Sequence, residues 1–117
     1  MEKPSKRERP VELSGVSVRK VTACGNLYVT VTHMEGEDKP FEVFAVLGKA
    51  GGCSMAQAEG LCRAISVGLR YGIPVGEFIK QLGGIRCPEP HMWPKEERVL
   101  SCPDAIAQVL KELYPHE

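Results

Sequence analysis

The hydrophobic pattern of the chain changes period once, near residue 53. Before that point apolar residues mostly alternate with polar ones; after it they recur every three or four residues. Val16 and Val18 alternate with Ser17 and Arg19, and Leu27-Tyr28-Val29-Thr30-Val31-Thr32 alternates aliphatic with hydroxyl-bearing side chains. That is the period of half-buried strands. The turn Cys24-Gly25-Asn26 separates the two. The polar run from Glu35 to Pro40 reads as a hairpin loop, and Phe41 to Leu47 as a third strand. Because that strand is nearly all apolar, it is expected at the centre of the sheet. Three strands with short connections predict an antiparallel meander.

Helical spacing follows. Ser54 with Gln57 forms a capping box that marks a helix start. Ala58, Leu61, Cys62, Ile65 and Leu69 then make one apolar face, and Gly72 stops the helix. Pro74 opens a shorter helix with Val75, Phe78, Ile79 and Leu82 on its stripe, closed by Gly83-Gly84. A loop rich in proline and charge runs from Cys87 to Val99. Ser101 to Asp104 start a last helix, with Ile106, Val109, Leu110 and Leu113 buried. Strands first and helices later predict an α+β fold: a three-stranded antiparallel meander followed by about three helices packed on one face. Residues 1–12 are polar, charged and proline-bearing, and read as a flexible tail; residues 13–117 read as a single domain.

Composition narrows the function classes. The 117 residues are 43% hydrophobic and 26% charged, with fifteen basic residues against fifteen acidic ones. A net charge of zero argues against broad nucleic-acid binding, which needs clustered cationic surface. It favours association with a partner or a second copy, so a homodimer is one expectation. No stretch reaches the ~20 apolar residues of a membrane span, and the charged start has no signal-peptide core. The expected location is the cytoplasm, where the five cysteines stay reduced and metal binding or redox chemistry outranks disulfides.

Four cysteines fall at element boundaries: Cys24 in the first turn, Cys53 after a glycine-rich loop, Cys87 after the second helix and Cys102 before the last. Cys62 lies on an apolar helix face and reads as a small buried hydrophobe. Cys53 and Cys102 sit at predicted helix N-termini, where backbone N–H groups and the helix dipole stabilise a thiolate. Four thiolates from four loops could close a zinc site or hold an iron–sulfur cluster, yet no C-x-x-C knuckle is present. Spacing alone leaves both the metal site and merely packed cysteines open. Lys49, Gly51 and Gly52 occupy a strand-to-helix loop of anion-cradle geometry, although the P-loop order is missing. His33, His91 and His116 have no ligand-like or triad-like spacing with one another; His91, near Trp93 in the proline-rich loop, could be a ligand but reads more simply as a surface residue. Met92 and Trp93 are candidates for a partner contact. No serine, histidine and acid pattern suggests hydrolysis, and no catalytic residue is expected.

At the start of the last helix the sequence becomes distinctive. Leu100-Ser101-Cys102-Pro103-Asp104-Ala105-Ile106-Ala107 resembles the signature of the TSCPD domain family. Three further blocks agree in order: Cys24 to Val31, Pro40 to Phe44 with Gly48 to Cys53, and Gly84 to Pro88. Leu100 stands where the family has its threonine. Domains of this family occur near the C-terminus of adenosylcobalamin-dependent ribonucleotide reductases and as separate small proteins. The resemblance therefore implies an accessory role in deoxyribonucleotide production, with a reductase catalytic subunit or domain as partner. It also implies that Cys24, Cys53, Cys87 and Cys102 are the shared cysteine positions, which favours a zinc or iron–sulfur site there. The reductase barrel, with its adenosylcobalamin site, is far larger than 117 residues. The cofactor is expected in the partner, and this chain is expected not to be catalytic alone. Two rival readings are a thiol–disulfide module using Cys53 and Cys102 as low-pKa thiolates, and a nucleotide or nucleic-acid binding module using the glycine-rich loop and basic tail.

Overall fold

The computed structural model describes residues 5–48 and 52–117. Three strands come first: β1 (Ser14–Thr22), β2 (Gly25–His33) and β3 (Glu42–Leu47). Three helices follow: α1 (Gly52–Arg70), α2 (Val75–Leu82) and α3 (Cys102–Leu113), with a short 3-10 turn at Lys95–Glu97. The arrangement is the expected α+β fold. The strands pair antiparallel in the order β1-β2-β3.

The pairing register sorts the two faces of the sheet. Val18 opposes Val29, Val16 opposes Val31, and Val31 opposes Val43, so these side chains share the face beneath the helices. Leu27, Val29 and Val43 are fully enclosed there by Ile65 of α1 and Ile106 and Leu110 of α3. Each such side chain contributes roughly 1.5–3 kcal/mol on burial. α1 lies on β3, α3 lies on β1 and β2, and α2 packs against α3. Lys20 of β1 and Glu112 of α3 form an ion pair at the rim.

The placement of β3 corrects the expectation of a central strand. A meander puts its second strand in the middle, so β3 lies at the edge. Its apolar excess comes from Phe44 and Val46, which face away from the helices and are 45% and 56% exposed. The edge is nevertheless guarded. The Ser66 hydroxyl of α1 accepts from the Val43 N–H at 2.9 Å and donates to the Val43 carbonyl at 3.0 Å. The Leu47 N–H reaches Met55 Sδ at 3.3 Å. An edge strand partnered by helix side chains is less available to a foreign strand.

α1 begins at Gly52 rather than at a Ser54 cap. Gly52 takes a φ of +87°, a left-handed value that favours glycine. α1 ends as expected at Gly72, whose φ is +97°. There the Ile73 N–H donates to the Gly68 carbonyl and the Gly72 N–H to the Leu69 carbonyl, both at 3.0 Å. That pair of bonds is a Schellman closure.

Residues 5–12 contain no helix or strand, yet two arginines tie them to the body. Arg7 forms a bidentate pair with Glu37 at 2.9 and 2.7 Å. Its N–H donates to the Arg70 carbonyl at 3.1 Å, and the Arg70 guanidinium donates back to the Arg7 carbonyl at 2.9 and 3.1 Å. Both guanidinium groups lie over the Phe41 ring, 5.6 and 5.4 Å from its centre. Arg9 pairs with Glu42 at 2.9 Å. That contact, with Thr32 donating at 3.3 Å, accounts for a carboxylate that is only 6% exposed.

Candidate functional site

Four separate segments meet at one end of the molecule: the β1–β2 turn, the first turn of α1, the segment after α2 and the start of α3. They bring Cys24, Cys53, Cys87 and Cys102 to the lining of a single pocket of about 460 Å³. The rest of the wall is largely aliphatic, with Leu61, Leu82, Ile85, Val99 and Ile106. Cys62 takes no part. It is buried in the core, where loss of solvent pushes its thiol pKa up to about 12.

Each cysteine is held by local chemistry. Thr22 closes the turn that carries Cys24: its hydroxyl donates to the Gly25 carbonyl at 2.8 Å and accepts from the Cys24 N–H at 3.2 Å. Cys53 is the second residue of α1. The two residues expected to cap that helix point at cysteines instead. Ser54 Oγ lies 3.5 Å from Cys24 Sγ, and Gln57 Nε2 lies 4.0 Å from Cys53 Sγ.

The other pair depends on the Ser-Cys-Pro-Asp segment. Ser101 caps α3 by accepting from the Asp104 N–H at 3.1 Å, and its hydroxyl donates to the Ile85 carbonyl at 2.6 Å. The Asp104 carboxylate is buried and fully used. It accepts from Gly84 N–H at 2.9 Å, from Leu100 N–H at 3.0 Å and from Gln108 Nε2 at 3.0 Å. The Cys87 N–H donates to the Leu100 carbonyl at 2.9 Å. One motif therefore starts α3, places Cys102 in its first turn and moors the strand of chain that presents Cys87. The local S-x-x-D spacing announces the cap, but the bonds to Gly84 and Ile85 are non-local and left no trace in the sequence pattern.

Burial pushes the Cys102 thiol pKa up, and the neighbouring Cys24 and Cys87 add to the shift, while the Thr22 hydroxyl opposes it. At Cys102 the shift runs opposite to the lowered pKa expected at a helix N-terminus.

The donor chemistry suits a thiophilic metal: four thiols, aliphatic walls and, among the described residues, no histidine or carboxylate in the lining. Among the described residues, no group of three or more His, Cys, Asp or Glu is arranged so that it could hold a metal ion.

The remaining candidates lie elsewhere. Lys49 and Gly51 fall outside the described residues, and Gly52 serves as the left-handed entry to α1. Met92 and Trp93 lie outside the pocket; Trp93 is 75% exposed and Met92 half-buried. The segment carrying them is less irregular than expected, because His91 and Val99 pair through two backbone bonds of 2.8 Å. His91 is not a simple surface residue: its Nε2 is buried without a hydrogen-bond partner. Among the described residues no helix is long and apolar enough to cross a membrane.

A search of curated proteins and of solved structures returns no match. The family model of the TSCPD domain matches residues 2–114, almost the whole chain and all four pocket cysteines. The chain belongs to the TSCPD domain family.

Proposed function

We propose that this chain is an accessory module of an adenosylcobalamin-dependent ribonucleotide reductase, held in shape by a metal centre in its four-cysteine pocket. Membership of the family supports the reductase link. One observation carries the metal reading. The four cysteines come from segments up to 78 positions apart in sequence (102 − 24) and line one pocket, while the fifth is packed alone in the core. A bound metal would cross-link the β1–β2 turn, α1, the post-α2 segment and α3, and such binding energy becomes folding energy. Cobalamin chemistry belongs to the partner; the residues of this chain bind and orient. Trp93, with Met92 next to it in sequence, is the proposed contact with the catalytic subunit, on the strength of its exposure in the loop closed by the His91–Val99 bridge.

The test is a titration of the purified chain into the reductase catalytic subunit, followed by calorimetry and by reductase turnover. The expected result is a stoichiometric complex with altered turnover, weakened at least tenfold by Trp93→Ala. No complex, with turnover indifferent to the chain, contradicts the accessory reading.

A further inference from the structure

We infer that β1 is the seam of a homodimer, in which the open sheet edges of two copies pair antiparallel into one continuous sheet.

The two edges of the sheet are built differently. On β3, Ser66 takes the outward groups of Val43, and Met55 takes the Leu47 N–H. β1 has no such guard. The Asn26 carbonyl accepts from the Gly48 N–H at 2.8 Å, and the Thr32 carbonyl accepts from the Phe41 N–H at 2.7 Å. Both β2 residues therefore turn their backbone groups toward β3. Their opposites on β1 are Val21 and Gly15, whose groups must turn away from the sheet. By alternation, those of Ser17 and Arg19 do the same. Among the described residues no hydrogen bond from outside the sheet reaches these four positions. A nine-residue strand with an open edge is a template for another strand. The usual devices against such pairing are weak here. β1 has no proline, its register runs without a bulge, and its lysine, Lys20, is paired with Glu112 of its own α3.

The occupant that fits this edge is a second copy. The outward groups sit at odd positions, so odd must face odd, and the two-fold axis must fall on a residue. An axis at Arg19 sets two guanidinium groups directly opposite, which is unfavourable. An axis at Val18 sets Lys20 against Val16. An axis at Ser17 sets Val16 against Val18 of the second copy, twice, and covers a Val16 that is 47% exposed. Cross-strand β-branched pairs of this kind are favourable. The same register places Arg19 opposite Gly15, which has no side chain to crowd it. It also brings the acidic approach to the strand, Glu12, beside the basic end, Arg19 and Lys20, of the second copy. The charge pattern of β1 is thus complementary to its own reverse, as an isologous interface requires. Three pairs, Gly15 with Arg19, Ser17 with Ser17 and Arg19 with Gly15, exchange about six backbone hydrogen bonds. The seam is small, so the dimer is concentration-dependent.

Sedimentation equilibrium of the full chain, from low micromolar to millimolar, tests the seam beside amide hydrogen exchange. The expected result is a monomer–dimer equilibrium. Protection at Gly15, Ser17 and Arg19 should rise with concentration, while Val16 and Val18, already bonded to β2, should not change. Ser17→Pro deletes one outward N–H at the axis and no bond between β1 and β2, a position where an edge strand tolerates proline. It should raise the dimer dissociation constant roughly tenfold or more and leave the monomer's circular dichroism unchanged. Should the proline disturb β1, Val16→Asp, at an exposed position, serves in its place. A chain monomeric throughout overturns the inference, as does a dimer that both variants leave intact. Protection of the three amides gained only on adding the reductase catalytic subunit also overturns it, and gives the edge to that partner.

Discussion

The Ser101 hydroxyl donates to the Ile85 carbonyl at 2.6 Å, joining the start of α3 to the segment that leads into Cys87. The same oxygen caps the helix by accepting from the Asp104 N–H. Ser101→Ala removes both bonds, leaving the Ile85 carbonyl without its donor and the Asp104 N–H without its acceptor. It is expected to cost about 1–3 kcal/mol in denaturant unfolding. Ser101→Thr keeps the oxygen and recovers most of that loss. An alanine variant as stable as the parent would show that the cap does not moor the site.

Asp104 extends the same argument. Its two oxygens satisfy Gly84, Leu100 and Gln108 from a buried position. Asp104→Ala strands two backbone donors, with an expected cost of about 2–4 kcal/mol. Asp104→Asn keeps one acceptor oxygen and falls between. Amide exchange at Gly84 and Leu100 is the direct readout, and both should lose protection in the alanine variant.

Alkaline unfolding tests the burial of Cys62. Its pKa is raised from an ordinary 9.0 to about 12 because burial disfavours the thiolate. The unfolded chain ionises this thiol near pH 9 while the folded chain holds it neutral. The stabilising contribution is therefore complete below about pH 9 and is lost as pH rises from there towards 12. Cys62→Ala is expected to be less stable at neutral pH, through the lost packing, and to show a flatter decline over that window. Parallel alkaline curves for the two proteins would count against the assignment.

The N-terminal segment gives a further test. Arg7 and Arg70 exchange backbone and guanidinium hydrogen bonds above the Phe41 ring. Arg7→Ala is expected to free residues 5–12 for proteolysis. Equal protease resistance in parent and variant would show that Arg7 does not anchor the segment.

These residues mark how far the sequence could be read. Periodicity found all three strands and all three helices, because Val29, Val31, Ile65 and Ile106 repeat at the spacing of the faces they bury. It misplaced β3, since an apolar run records how many side chains are apolar and not which faces are covered. Phe44 and Val46 are apolar and exposed. The four boundary cysteines were legible as a group, and Cys62 as an outsider. What drew the four together was not. The Asp104 bond to Gly84 spans twenty positions and the Ser54 contact with Cys24 thirty, distances at which local spacing carries no signal. Ser54 and Gln57 satisfied a capping rule and face cysteines instead.

The central claim is that Cys24, Cys53, Cys87 and Cys102 act together as one metal-holding site. Elemental mass spectrometry of the freshly purified chain tests it most directly, beside the Cys24→Ser, Cys102→Ser double variant and Cys62→Ala. The account predicts a stoichiometric thiophilic metal in the parent and in Cys62→Ala, and its loss in the double variant. A metal-free parent that is stably folded, or metal retained in the double variant, would contradict it.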